Sequence, residues 1–173
     1  MHLLKINQLP KRTISDEFIN LWVGSLAVGM VLVGKYWYSQ ADADALLFLL
    51  KPVSQLVHLI SNQPYTFLPD EGFYFPNGNI LINADCSGFN WLLLAYLIGI
   101  FAGLRFLKKP FYKIPLFPAL LLISYILSLL VNSTRILFSI ILMETFDQHS
   151  TWLHLAEGTF IYLSSLILWY LAC

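Results

Sequence analysis

Apolar residues run through this chain in long blocks separated by short polar stretches. A bilayer core of about 30 Å is crossed by about 20 mostly apolar residues in helical form. Blocks of that kind run from about Phe18 to Tyr38, from about Ser87 to Phe106, and from about Trp152 to the C-terminus. A longer run, about Ile114 to Met143, exceeds one span and reads either as one long helix or as a span followed by a short second piece. Ala45 to Ile60 is broken by Lys51-Pro52 and carries Gln55 and His58, which predicts an amphipathic or re-entrant helix lying at the interface. Between Gly72 and Ile82, Asn77-Gly78 separates two aromatic and β-branched runs, a hairpin signal, and Pro76 beside the turn points to irregular or edge pairing. The expected fold is therefore an all-α integral membrane helical bundle of about four transmembrane helices. An interfacial or re-entrant helix and a small extracytoplasmic β-hairpin complete it, in a single domain over residues 1–173. No internal repeat is present.

Composition sharpens this picture. Of 173 residues, 58% are hydrophobic and 12% charged, with a mean hydropathy of +0.68. One small core could not hide that much apolar surface, so a water-soluble globule is excluded, and disorder with it. Formal net charge is zero, which gives no electrostatic reason to expect a nucleic-acid partner. The first apolar block follows Lys5, Lys11 and Arg12 as a signal peptide would. It exceeds the roughly 7–15 residues of a cleaved signal core, which predicts an uncleaved anchor. Those three cations, with Arg105, Lys108, Lys109 and Lys113 after the second span, account for seven of the ten Lys and Arg. Four spans with both termini cytoplasmic place all seven inside. If Ala45–Ile60 also crossed, the Lys108-Lys109 loop would face outward, against the charge pattern. Cys86 and Cys173 form no disulfide framework and no C-x-x-C metal spacing, so neither a metal nor a cofactor is expected.

Counting helical rise from the cytoplasmic ends brings three reactive side chains to one depth. At about 1.5 Å per residue, Cys86 lies about 28 Å from Arg105, Arg135 about 33 Å from Lys113, and His154 about 28 Å from Cys173. All three arrive at the outer membrane boundary. Ser124, Ser128, Asn132, Arg135 and Ser139 recur in steps of four, four, three and four, a polar stripe along one face of the third span. Such a stripe should face protein or a water-filled cavity rather than lipid. His154, Glu157 and Ser165 fall near one face of the last span, where Gly158 allows close helix approach. Cys86 and Asn90 stand one turn apart at the start of the second.

Together these residues suit acyl transfer. A cysteine at a helix N-terminus is favoured as thiolate. An imidazole can take its proton and return it to a leaving amine. A guanidinium can stabilise the oxyanion or the thiolate. Each residue also has a plainer reading. Cys86 could be a small buried hydrophobe, Arg135 could snorkel to headgroups, and Asn132 could bond across helices. Glu157 could orient His154 or cap its helix, and Ser87 and Asp85 are placed to cap the second span. Trp22, Trp37, Trp91, Trp152 and Trp169 read mostly as an interfacial belt. The competing functional reading is a non-catalytic multi-pass protein, an assembly factor or a channel or carrier subunit, using the polar face of the third span. A thiol redox role is weaker, because no second outward-facing cysteine exists to resolve a disulfide.

Three blocks, Asn79-Ile80-Leu81-Ile82-Asn83-Ala84-Asp85-Cys86-Ser87-Gly88-Phe89, Asn132-Ser133-Thr134-Arg135-Ile136 and His154-Leu155-Ala156-Glu157-Gly158, resemble the exosortase/archaeosortase family in order and membrane setting. The resemblance covers about Gly72 to the C-terminus, and the small size is similar to the exosortase K type. It implies a membrane cysteine protease-transpeptidase of the bacterial cytoplasmic (inner) membrane, with its active site on the extracytoplasmic side. Its substrate would be a secreted protein carrying a C-terminal sorting signal of short motif, transmembrane helix and basic tail, met within membrane lipid. Matched residue by residue, Cys86 resembles the nucleophile, Arg135 the motif arginine and His154 the acid/base. Asn132, Ser87, Asn90 and Glu157 stand as supporting residues. Family members are often longer, with more spans, and Phe89 stands where an aliphatic residue commonly follows Cys-Ser-Gly.

Overall fold

The computed structural model describes residues 14–106, 115–145 and 151–173, with side chains at 17–106, 115–142 and 156–173. Lys5, Lys11, Arg12, Lys108, Lys109 and Lys113, on which the orientation argument leans, lie outside the described residues, as do His149 and the side chain of Trp152.

Among the described residues, five helices and one small sheet make a helical membrane bundle. Helix α1 spans Ile14–Tyr38, and α2 spans Leu47–Ser61. Strands β1 (Thr66–Leu68), β2 (Gly72–Phe75) and β3 (Ile80–Ile82) follow. The remaining helices are α3 (Phe89–Phe106), α4 (Leu116–Thr145) and α5 (Thr151–Ala172). Among the described residues, three stretches are long and apolar enough to cross a membrane, Glu17–Tyr38, Ala84–Phe106 and Leu116–Leu142; α5 adds a shorter apolar stretch over Ala156–Ala172. The long run of the third span is one unbroken helix of 30 residues. Helix α3 is central, packing against α1, α4 and α5, while α4 also packs against α2. Its glycines permit this crowding: a methyl on Gly99 would lie 3.1 Å from Leu120 and 3.3 Å from Trp169.

Segment 45–60 is amphipathic, as its pattern predicts. Leu49, Leu50, Val53, Ser54 and Val57 line one buried face of α2, whereas Lys51, Gln55 and His58 are exposed. The buried face packs into the main apolar cluster with Phe73, Phe75, Ile82, Phe89, Leu92, Ile136 and Ile140, so α2 is a core element as well as a surface one. Pro52 lies inside the helix and has no N–H to give the carbonyl of Phe48. The Tyr125 hydroxyl of α4 donates to that carbonyl at 2.7 Å, so the helix break and the helix contact satisfy one another.

The hairpin forms around the expected turn and gains a third strand. The sheet has order β1-β2-β3, both pairs antiparallel, with Phe73 opposite Ile82 and Phe75 opposite Ile80. The loop is not a two-residue Asn-Gly turn. Pro76–Gly78 make one 3-10 turn, and Asn79 takes the left-handed conformation at φ 49°. Proline favours that opening geometry, and asparagine tolerates the positive φ that closes it. Gly72 is required at φ 123°, since a methyl there would lie 2.3 Å from the Ile82 carbonyl oxygen.

Candidate functional site

Strand β3 delivers the chain to Asn83, and the next residues turn sharply. Ala84–Cys86 form a 3-10 turn capped by Asn83, whose side chain accepts from the Cys86 N–H at 3.3 Å while its carbonyl accepts from the same group at 3.0 Å. Tyr38, ending α1, donates its hydroxyl to the Ala84 carbonyl at 3.1 Å and stacks on Phe89 with centroids 5.0 Å apart. Helix α3 begins only at Phe89. Cys86 therefore stands in the approach to α3 and not in its first turn, which corrects the one-turn pairing with Asn90 expected from the sequence. The break has a clear cause: Gly88 sits at φ 73°, which a helix cannot continue through. Ser87 is fully buried and its Oγ accepts from the Phe89 N–H at 3.3 Å, the capping role expected of it.

Asn90 points elsewhere. Its side-chain oxygen accepts from Lys35 on α1, and the Lys35 ammonium also lies 5.3 Å from the Tyr38 ring.

The stripe on α4 faces protein, as expected. Ser124, Ser128, Asn132 and Ser139 are all buried. Two of its members seize the cysteine turn from one side. Asn132 Nδ2 donates to the Cys86 carbonyl, and one helical turn away Ser128 Oγ donates to the Gly88 carbonyl at 3.0 Å. Gly88 makes the approach possible: a methyl there would lie 3.1 Å from Ser128 Oγ and 3.2 Å from Asn132 Cβ. One turn further along, Arg135 interacts electrostatically with Cys86 and with Glu157.

Helix α5 completes the cluster. Gly158 lies against Arg135, where a methyl would come within 2.8 Å of Nε. Glu157 is buried, and its Oε1 accepts from Ser139 of α4 at 2.9 Å, which ties the two helices together. His154 belongs to the first turns of α5, four residues before Gly158, and its side chain lies outside the described residues. Ser165 is taken up by structure, accepting from Trp91 Nε1 at 2.9 Å. Trp91 is 2% exposed, so it belongs to the core and not to an interfacial belt; it lies on the helix with neighbours on three sides.

Sequence reasoning missed Tyr162. Its hydroxyl donates to Asn132 Oδ1 at 2.6 Å and accepts from Arg135 at 3.3 Å, and its ring lies 5.2 Å from the guanidinium carbon. The signal was available, because Tyr162 follows Gly158 by one turn. Tyr38 and Asn83 were missed as well, since each serves the cysteine turn from a different element.

Among the described residues no group of His, Cys, Asp and Glu has the makings of a metal site, and both cysteines are free. Chemically, the cluster holds a thiol, a guanidinium and a buried carboxylate under a roof of fixed hydrogen bonds. No curated protein and no solved structure matches the chain. A family model described as Transmembrane exosortase (Exosortase_EpsH) does match, over residues 21–171, a stretch that takes in the cysteine turn and both helices that close on it, and the chain belongs to that family.

Proposed function

We propose that the chain is a membrane-embedded cysteine protease-transpeptidase that cleaves the C-terminal sorting signal of secreted proteins at the extracytoplasmic face. Family membership supports membrane transpeptidase-type function in general. The observation that carries the finer reading is the fastening of the Cys86 turn to α4 by Asn132, one turn from Arg135 on the same helix. A multi-pass setting in the bacterial inner membrane, with both termini cytoplasmic, puts this cluster on the outer side.

In this reading the substrate's own transmembrane helix docks beside the bundle and presents its scissile bond to Cys86. His154 takes the thiol proton, and the thiolate sulfur attacks the carbonyl carbon. The oxyanion forms near Arg135. As the tetrahedral intermediate collapses, the C–N bond breaks and His154 returns the proton to the leaving amine. The thioester then passes to an acceptor amine or to water, which regenerates the thiol. Segment 45–60 and the hairpin around Asn77-Gly78 pack beside the cysteine turn and form walls of the substrate groove. Glu157 and Asn132 support Arg135 and Cys86, and Ser87 holds the turn; Asn90 supports the site only through Lys35 and Tyr38.

The test is co-expression with a tagged secreted protein bearing such a signal. Cys86→Ala and His154→Ala abolish processing, and Arg135→Ala lowers it about 10²–10³-fold, as loss of an oxyanion donor does. Arg135→Lys remains poor, since an ammonium lacks the planar fork. Processing retained by Cys86→Ala overturns the reading.

A further inference from the structure

Tyr162 is where α4, α5 and the cysteine turn meet. Arg135 donates to its hydroxyl, that hydroxyl donates to Asn132 Oδ1, and Asn132 Nδ2 donates to the Cys86 carbonyl. All three bonds run in the same donor direction, and bonds so aligned polarise one another. The alignment also fixes rotamers. Asn132 is fully buried, and turning its amide over would set Oδ1 against the Cys86 carbonyl, two acceptors facing one another. The Tyr162 O–H forbids that flip by demanding an acceptor. Meanwhile its ring lies under the guanidinium at 5.2 Å, an attractive placement for a cation. Gly158, one turn earlier on α5, keeps the space that Arg135 needs to reach it.

We propose that Tyr162 is a positioning residue for the Cys86 reaction: through one hydroxyl and one ring it locks the guanidinium of Arg135 and the backbone of Cys86 into a single frame. This deepens the transpeptidase reading and rests on it. The hydroxyl needs no contact with substrate. Its effect reaches the sulfur through Arg135, which places a positive charge where thiolate and oxyanion negative charge appear.

Because the described chain holds only two cysteines, a Cys173→Ser background leaves Cys86 as the one reporter. In that full-length protein, Tyr162→Phe keeps the ring and removes the hydroxyl. Alkylation of Cys86 by iodoacetamide at neutral pH is expected to slow about tenfold, the scale of losing a charge-assisted hydrogen bond and stranding its partner. In an Arg135→Ala background the same Tyr162→Phe change is expected to slow alkylation much less, since the charge it positions is gone and only the Asn132 limb remains. With substrate, kcat falls and KM stays, as befits a residue remote from the bound peptide. An unchanged alkylation rate in Tyr162→Phe overturns the assignment. Equal slowing in both backgrounds also overturns it, by marking Tyr162 as a packing residue. The alkylation arms need no substrate, so failure of the transpeptidase reading, seen as processing by Cys86→Ala, is distinguishable from failure of the Tyr162 assignment.

Discussion

Replacing Gly88 with alanine strikes a point where the cysteine turn and α4 touch backbone to side chain. Gly88 sits at φ 73°, a conformation that costs an alanine about 1 kcal/mol relative to glycine. The new methyl would lie 3.1 Å from Ser128 Oγ and 3.2 Å from Asn132 Cβ and Cγ, closer than such groups ordinarily approach, so both side chains must give by a few tenths of an ångström. Their displacement loosens two hydrogen bonds at once, Ser128 to the Gly88 carbonyl and Asn132 to the Cys86 carbonyl, each contributing about 1 kcal/mol. A total loss of about 2–4 kcal/mol follows. Unfolding in mixed detergent micelles with rising SDS, followed by circular dichroism, reads that loss directly. Gly29→Ala is the control: nothing lies within 4 Å of the added methyl, so the change should be neutral or mildly stabilising as helix propensity directs. Ser128→Ala, which removes one bond and adds no bulk, should fall between them at about 1 kcal/mol. If Gly88→Ala unfolds at the same SDS fraction as Gly29→Ala, the account of how α4 grips the cysteine turn is wrong.

Three further outcomes are expected. Tyr125→Phe strands the Phe48 carbonyl that Pro52 leaves open and destabilises by about 1 kcal/mol. Adding Pro52→Ala restores a local donor, so the double variant should lose that penalty, and additive losses in the same SDS titration would refute the link. Gly158→Ala sets a methyl 2.8 Å from Arg135 Nε and should displace the guanidinium from the Tyr162 ring; processing falls about tenfold while helix content is unchanged. Asn83→Ala is expected to be mild, under about 1 kcal/mol, because the Asn83 carbonyl still accepts from the Cys86 N–H at 3.0 Å; a severe loss of alkylation would show that the side-chain cap matters more than the turn it caps.

Apolar blocks and charge composition sufficed for the membrane class, the three long spans and the amphipathic face of segment 45–60, because burial in hydrocarbon is decided residue by residue along one chain. Helical steps of three and four placed Ser124, Ser128, Asn132 and Ser139 on one face before any partner was known, and turn residues located the hairpin. Tertiary structure alone decided what those faces meet. Helix rotation and approach distance, not spacing within a helix, turned Asn90 toward Lys35, drew Trp91 into the core, and gave the Phe48 carbonyl to Tyr125. They also set Tyr162 between Arg135 and Asn132. A hydrogen bond across helices depends on two rotations and a separation that no single helix encodes, so its partners become visible only once the helices are packed.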